Sequence, residues 1–173
     1  AAMAKRAEGR LDFAVKAHQD MTHTRENYAG ALPLFREALA PLRETGALGC
    51  VLVQFPFSFK ASPGNADFVR RVATDLAPDP VAVEFRHRSW TTAQTFDLLR
   101  ELGVAYCCVD EPRLPNLPTP VVRSTAPIAY VRFHGRNRAK WWTHAEAWER
   151  YDYLYNEAEL LEWLPKVRAL ARE

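Results

Sequence analysis

A chain of 173 residues of which 48% are hydrophobic can bury a sizeable core, so we expect one domain over residues 1–173. The net charge of +2 is too small to indicate a nucleic-acid or membrane-surface protein by its overall field. The three cysteines lie in apolar runs, and an odd number argues against a disulfide framework. No apolar run approaches the roughly 18 residues of a membrane span, so we expect a cytoplasmic protein with reduced thiols and no membrane partner.

Five apolar runs alternate along the chain with stretches of helical periodicity. The predicted strands are residues 11–16, 49–55, a run starting at Val81, 104–110 and 128–134. The predicted helices are residues 28–45, 64–76, 91–101 and 157–172, with Pro41 kinking or restarting the first of them. Strands that alternate with helices pair in parallel through right-handed crossovers, which predicts an α/β fold.

The strand that starts at Val81 carries the most informative sequence, VAVEFRHRSW. One phase of its two-residue period is apolar, while the other phase includes Glu84 and Arg86. A strand covered on both faces tolerates little charge, so these two side chains must pair with each other, with neighbours or with a ligand. The end of this strand is therefore a candidate site, although a purely structural ion pair is the alternative.

Each of the other predicted strands also has polar residues toward its carboxyl end, in what we expect to be the same phase. Together with Glu84 and Arg86, these are Lys16, Gln54, Asp110, Arg132 and His134. In parallel α/β folds, the carboxyl ends of the strands form the binding site, so we expect these side chains to converge. A closed barrel needs eight strands and usually about 250 residues, which leaves an open sheet or part of a barrel.

Several motifs, in order, resemble the YecE-like family, a TIM-barrel-like domain of unknown function. They are LDFAVKAHQDMTH, GCVLVQFP, VEFRHRSW, YVRFHGRN and RYDYLYNEAEL. The resemblance begins at what would be the third strand of that family and lacks its last strand. It implies a partial TIM-barrel-like parallel sheet of about five βα units, open or incomplete, and it adds no reaction and no cofactor.

Basic residues around the fifth strand indicate a pocket for an anion. Arg132 and His134 precede Gly135, which lets the backbone approach a ligand, and Arg136 follows. With Lys16 they outnumber the nearby carboxylates, which favours a phosphate or carboxylate ligand over a bare metal ion. Mutual neutralisation with Asp110 and Glu84 is the alternative. The predicted binding residues are Lys16, His18, Gln54, Arg86, Asp110, Arg132 and Arg136.

If the protein is an enzyme, we expect acid/base catalysis or hydrolysis, with Glu84 as general acid or base and His134 assisting proton transfer. A divalent metal site built from Glu84, His134, His18 and His23 is an alternative that no HxH or HExxH spacing supports. The sequence identifies neither a reaction, a cofactor nor an oligomeric state.

A second alternative is a nucleic-acid-binding module in the basic and aromatic connection 135–155. Its aromatic residues are Trp141, Trp142, Trp148, Tyr151, Tyr153 and Tyr155. They could stack on bases, or they could anchor a long loop to the barrel, which is the interpretation we favour.

Overall fold

The computed structural model describes residues 2–7 and 9–172, where five parallel strands form a curled half-barrel sheet. The strands are β1 (Phe13–Lys16), β2 (Leu48–Gln54), β3 (Val81–Glu84), β4 (Ala105–Asp110) and β5 (Tyr130–Phe133). They pair in the order β1-β2-β3-β4-β5. In the described ranges β1 and β5 are the sheet edges and do not pair with each other, so the predicted partial, TIM-barrel-like α/β fold is confirmed.

Helices lie between the successive strands from β1 to β4 and at both ends of the described chain, and helix residues pack on one face of the sheet. The helices are α1 (Ala2–Ala7), α2 (Gln19–Thr22), α3 (Tyr28–Glu44), α4 (Pro63–Leu76), α5 (Ala93–Leu102), α6 (Glu157–Leu161) and α7 (Leu164–Leu170). Two 3-10 turns, Arg88–Trp90 and Ala147–Tyr151, lie after β3 and in the connection after β5. None of the helices in residues 2–7 and 9–172 has the length and apolarity needed to cross a membrane.

The helices of the structure differ from the predicted ones in three respects. Residues 157–172 form two helices rather than one, because Pro165 in the first turn of α7 cannot donate a backbone hydrogen bond. Residues 19–22, which lie outside the predicted helices, form α2, whose N-cap is His18. Pro41 does not restart α3, which continues to Glu44.

Helix α5 begins and ends where local chemistry predicts. The Thr92 hydroxyl accepts a hydrogen bond from the Thr95 backbone N–H at 3.2 Å, which makes it the N-cap. Gly103 ends the helix at φ +65°, a left-handed conformation that favours glycine. The caps thus fix the helix that leads into β4.

The two faces of the sheet pack differently. On one face, strand residues such as Val53, Val83 and Tyr106 share the main core with helix residues such as Val69 and Leu99. On the opposite face, a smaller cluster of buried residues belongs to the strands alone: Cys50, Leu52, Ala82 and Ala105. We call this second face the inner face. Gln54 and Glu84 extend the same phase to the carboxyl ends of β2 and β3, where their Cα atoms are paired in register.

An aromatic stack supports the segment that follows β3. The ring of Trp90 lies parallel to those of Phe85 and Phe59, with centroids 4.3 Å and 5.4 Å away. The Trp90 indole N–H donates a 2.7 Å hydrogen bond to the Phe59 carbonyl. This stack holds in place the stretch that carries Arg86 and His87.

We expect Trp90→Ala to lower the free energy of unfolding by about 3–5 kcal/mol, because it empties a buried site and leaves a carbonyl without its donor. The control is Trp148→Ala, since Trp148 is 63% exposed and its loss should change stability by about 0.5 kcal/mol or less. Urea unfolding followed by circular dichroism measures both, and equal effects of the two substitutions would contradict the support role of the stack.

Candidate functional site

A buried carboxylate lies at the centre of the inner-face strand ends. Glu84 is 0% exposed, and its Oε2 accepts a 2.6 Å hydrogen bond from Arg132 Nη1. Its Oε1 lies 3.1 Å from His134 Nε2 and 2.5 Å from Arg86 Nε, although the Arg86 contact is an ion pair without hydrogen-bond geometry. Arg132 Nη1 also donates to Gln54 Oε1 at 3.0 Å. We call these five residues the Glu84 cluster.

The charges within the Glu84 cluster follow from its surroundings. Burial alone would raise the pKa of Glu84, but the His134 hydrogen bond and the charges of Arg86 and Arg132 lower it to about 2. Burial lowers the pKa of His134 and outweighs the effect of the carboxylate. Near neutral pH Glu84 is therefore ionised, and a neutral His134 donates its Nε2–H to it.

A second buried carboxyl, Glu111, was missed by the sequence analysis. In the β4–β5 register, Val109 pairs with Arg132, and Asp110 pairs with Phe133. Arg132 belongs to the inner face, so Asp110 lies on the helix-covered face and Glu111 returns to the inner face. The expectation that Asp110 shares the phase of the other polar residues is wrong. Counting by two from the inner-face residue Ala105 would have found Glu111.

Glu111 lies in an unusual environment for a carboxyl group. Its side chain is 2% exposed, and neither carboxyl oxygen has a hydrogen-bond partner within the described residues. Its Oε2 lies 3.8 Å from Arg86 Nη1. Burial raises the pKa of Glu111 to about 8. The charge of Arg86 lowers this pKa, whereas the negative charges of Glu84 and Asp110 raise it further. At neutral pH this carboxyl is mainly protonated.

The inner-face residue Cys107 adds a weak contact to the cluster. Its Sγ lies 3.8 Å from Glu84 Oε2, and burial raises the pKa of the thiol. The group is therefore a neutral thiol that donates weakly to the carboxylate. All three cysteines are buried.

Asp110 and Arg136 lie outside the Glu84 cluster. Arg136 donates two hydrogen bonds to the Asp110 carboxylate, at 2.8 Å and 2.6 Å, and a third to Glu162 at 2.9 Å. The Trp163 indole and the Tyr155 hydroxyl also donate to Asp110. Burial would raise the pKa of Asp110, but these hydrogen bonds lower it. The pair connects the end of β4 to the C-terminal helices.

Lys16 and His18 lie at the carboxyl end of β1, where they line an open cavity with His23. His18 is mainly exposed, and its Nδ1 accepts a 3.3 Å hydrogen bond from the Asp20 backbone N–H as the cap of α2. Burial and the charges of Lys16 and Arg86 lower the pKa of His23, so it is neutral at physiological pH. The structure brings these two predicted binding residues close to the cluster but not into it.

A cavity of about 200 Å³ lies against the Glu84 cluster, and we call it the central cavity. Its polar lining consists of Gln54, Arg86, His23 and Arg150, and Tyr151 also lines it. Apolar rings complete the wall: Phe57, Trp141 and Trp142. Arg150 was not predicted, because its approach to the sheet depends on the path of a long loop without any periodic signal.

The connection 135–155 is anchored by some of its aromatic residues. Trp141 is buried in the wall of the central cavity, whereas Trp142 and Trp148 are exposed. His87, another residue near the cavity, accepts a 3.1 Å hydrogen bond from the Ser89 backbone N–H and caps the 3-10 turn after β3. Over residues 2–7 and 9–172, His, Cys, Asp and Glu side chains form no group of three or more that could hold a metal ion.

The parallel half-barrel with polar groups at its strand ends defines a TIM-barrel-like α/β protein. The family model described as "Protein of unknown function DUF72" matches residues 1–173, and the chain belongs to this family. The YecE-like resemblance is thereby confirmed. A curated relative is the UPF0759 protein YunF of Bacillus subtilis, which is 31% identical over 94% of the chain.

Two crystal structures of DUF72 family proteins have the same fold. The protein from Thermotoga maritima superposes with a TM-score of 0.90 at 38% identity, over 99% of this chain and 66% of its own length. The protein from Enterococcus faecalis superposes with a TM-score of 0.84 at 28% identity, over 94% of this chain and 64% of its own length. The chain also spans 64% of YunF, which is less than two thirds of that relative.

We expect Glu84→Gln to lower the free energy of unfolding by about 3–5 kcal/mol near pH 7, because it leaves Arg86 and Arg132 partly buried without their counter-charge. The effect should shrink as pH falls from about 4.5 toward 2. Over that range the wild-type carboxylate, whose folded-state pKa is lowered, also becomes protonated and loses its contribution. Glu101→Gln, at a side chain that is 64% exposed, is the control, and an equally small effect of both would refute this prediction.

Glu111→Gln should stabilise the protein increasingly as pH rises from about 5 to 8. In this window the folded state keeps the proton on Glu111, whose pKa is raised, while the unfolded state releases it, so wild-type stability falls with pH. Glutamine does not titrate, and we expect its advantage to grow by roughly 1 kcal/mol per pH unit. Thermal unfolding of both proteins across this range measures the difference, and a constant difference would contradict the raised pKa.

Proposed function

We propose that the inner-face strand ends form a binding site for a small, phosphate-bearing anion in the central cavity. The observation that carries this proposal is the charge of the lining. Arg86 and Arg150 both face the cavity, and none of the described residues that line it is an aspartate or glutamate. Guanidinium groups bind phosphate oxygens with paired hydrogen bonds, which makes arginine the residue type best suited to this ligand.

The charge balance of the neighbouring cluster supports the same proposal. Glu84 is ionised and contributes one negative charge, while Arg86 and Arg132 contribute two positive charges. His134 and Glu111 are mainly neutral at pH 7. The cluster therefore has a positive excess even before Arg150 is counted. Lys16, which has no ion-pair partner in the described ranges, adds positive charge at the neighbouring strand end.

The hydrogen-bonding capacity of Arg150 is only partly used. Its Nη2 lies 2.6 Å from His144 Nε2, but its Nε is buried and has no hydrogen-bond partner among the described residues. Arg150 itself lines the cavity, so its guanidinium is placed to donate to an acceptor such as a phosphate oxygen. The aromatic wall suits an organic group attached to that phosphate, such as a sugar or a base.

Within this proposal Glu84 and His134 act as positioning residues. Glu84 is closed off from solvent and holds three partners, and its lowered pKa makes it a poor proton donor at neutral pH. It fixes the direction of both arginines. Acid/base catalysis or hydrolysis by Glu84 and His134 stays a prediction, as does the activity of the whole protein in a family without an assigned reaction.

The nucleic-acid alternative would use the exposed part of the connection 135–155. Arg136 is committed to Asp110 and Glu162, and Lys140 pairs with Glu149. Apart from Arg150, which lines the central cavity, this leaves Arg138 as the cation of the described stretch without an ion pair. This leaves a weaker electrostatic surface than the central cavity. The cytoplasmic location predicted from the sequence stays part of the proposal.

We expect inorganic phosphate, sulfate and phosphate monoesters to raise the melting temperature, since a ligand that binds only the folded state stabilises it. Arg150→Ala should reduce the shift at least several-fold, whereas Arg138→Ala, an exposed arginine of the same connection outside the central cavity, should leave it unchanged. A differential scanning fluorimetry series at fixed ionic strength measures both variants. Equal loss in both would indicate a diffuse charge effect, and the absence of any shift in the wild type would overturn the proposal.

A further inference from the structure

Glu111 has no role in anion binding as described so far, yet it lies beside a residue of the site. It follows β4 directly after the Asp110–Phe133 pair, its Oε2 lies 3.8 Å from Arg86 Nη1, and it lines a second cavity with Asp110 and Arg136. It is the carboxylate among the described residues whose two oxygens are both buried and without a hydrogen-bond partner. A buried, unsatisfied acid lowers stability, and such groups occur where function requires them.

The position of Arg86 connects Glu111 to the central cavity. The Arg86 guanidinium lies against Glu84 on one side, with Nη1 at 3.8 Å from Glu111 Oε2 on the other, and it lines the cavity. While Glu111 is neutral, only Glu84 offsets the arginine charge, which leaves the guanidinium available to an anion. An ionised Glu111 would both compete for Arg86 and repel the anion.

Resting on the proposed function, we propose that the site binds its dianion together with one proton, and that Glu111 carries this proton. Binding of the anion and protonation of Glu111 are then positively coupled. A bound anion stabilises the protonated form of Glu111, and by reciprocal linkage the protonated form binds the anion more tightly. The ligand class becomes narrower: a doubly charged anion, such as a phosphate monoester or sulfate, taken up with a proton.

Glu111 is the group expected to change its charge between pH 7 and pH 9, as a comparison with the groups around it indicates. Glu84 and Arg86 face it from β3 and the residues after it, and Asp110 and Tyr106 face it from β4. The second cavity adds further charged residues: Arg113, Arg136, Arg138, Glu162 and Lys166. The pKa values of Glu84 and Asp110 are lowered and that of Tyr106 is raised by burial, while arginine stays charged. None of these first four groups changes its charge between pH 7 and pH 9, whereas the pKa of Glu111 is raised to about 8.

The test is isothermal titration of sulfate, which keeps its charge of −2 throughout this range, into the protein between pH 7 and pH 9. Each titration is repeated in two buffers of different ionisation enthalpy, so that proton uptake is counted directly. For the wild type we expect affinity to fall roughly tenfold over this range, with uptake rising toward one proton. For Glu111→Gln we expect the sulfate affinity to change less than twofold between pH 7 and pH 9, with no proton uptake. For Glu101→Gln we expect the same pH dependence and proton uptake as in the wild type.

The outcomes separate the two proposals. Sulfate and phosphate that fail to bind the wild type at any pH overturn the anion site and the proton linkage together. Binding with constant affinity and no proton uptake leaves the anion site standing and overturns the linkage. The proton count on the wild type decides the matter even if Glu111→Gln fails to fold. A wild-type pH dependence that persists in Glu111→Gln would assign the proton to another group.

Discussion

The buried Glu84 carboxylate, balanced by two arginines, is the interaction on which the inner-face strand ends depend. An ion of this kind is costly to remove from water and is tolerated only when partners surround it. Here the partners come from β5 through Arg132 and His134 and from the segment after β3 through Arg86. Arg132 reaches β2 as well, through Gln54. One carboxylate therefore fixes the relative positions of three strand ends.

Arg86 lies between two carboxyl groups, Glu84 and Glu111, whose protonation states differ. Arg86 lies closest to Glu84, which has two further donors, so Glu84 is stabilised as the anion. Glu111 has only the more distant edge of the guanidinium and no hydrogen bond, so burial dominates and the neutral acid is favoured. Environments that drive two neighbouring acids apart in pKa are a recurrent feature of sites that handle protons. The DUF72 fold thus places an anion-like and an acid-like carboxyl within reach of one cation.

Much of this architecture could be predicted from hydrophobic periodicity. Alternation gives the strands, and the phase of each strand gives its inward residues, which is why Gln54, Glu84, Arg86, Arg132 and His134 meet. Asp110 departs from this pattern, because the register with β5 turns it to the helix-covered face and leaves the next residue, Glu111, on the inner face.

Other features have no local signal in the sequence. The approach of Arg150 to the sheet depends on a long connection whose path is set by tertiary contacts. The neutral state of Glu111 depends on burial and on missing partners, which only the assembled fold reveals. The break between α6 and α7 did have a signal in Pro165, which an otherwise continuous apolar period concealed.

Asp110 is turned away from the central cavity, yet its contacts affect ligand binding there. Its carboxylate binds Arg136, Tyr155 and Trp163, and the Tyr155 hydroxyl also accepts a hydrogen bond from the Gly135 backbone N–H. Gly135 and Tyr155, the two ends of the connection 135–155, are therefore joined, and the connection is a closed loop. The entropy cost of closing this loop falls on folding and not on ligand binding. Trp141, Trp142, Arg150 and Tyr151 all lie within this loop. The cavity wall is thus preorganised, and an incoming ligand does not have to order it.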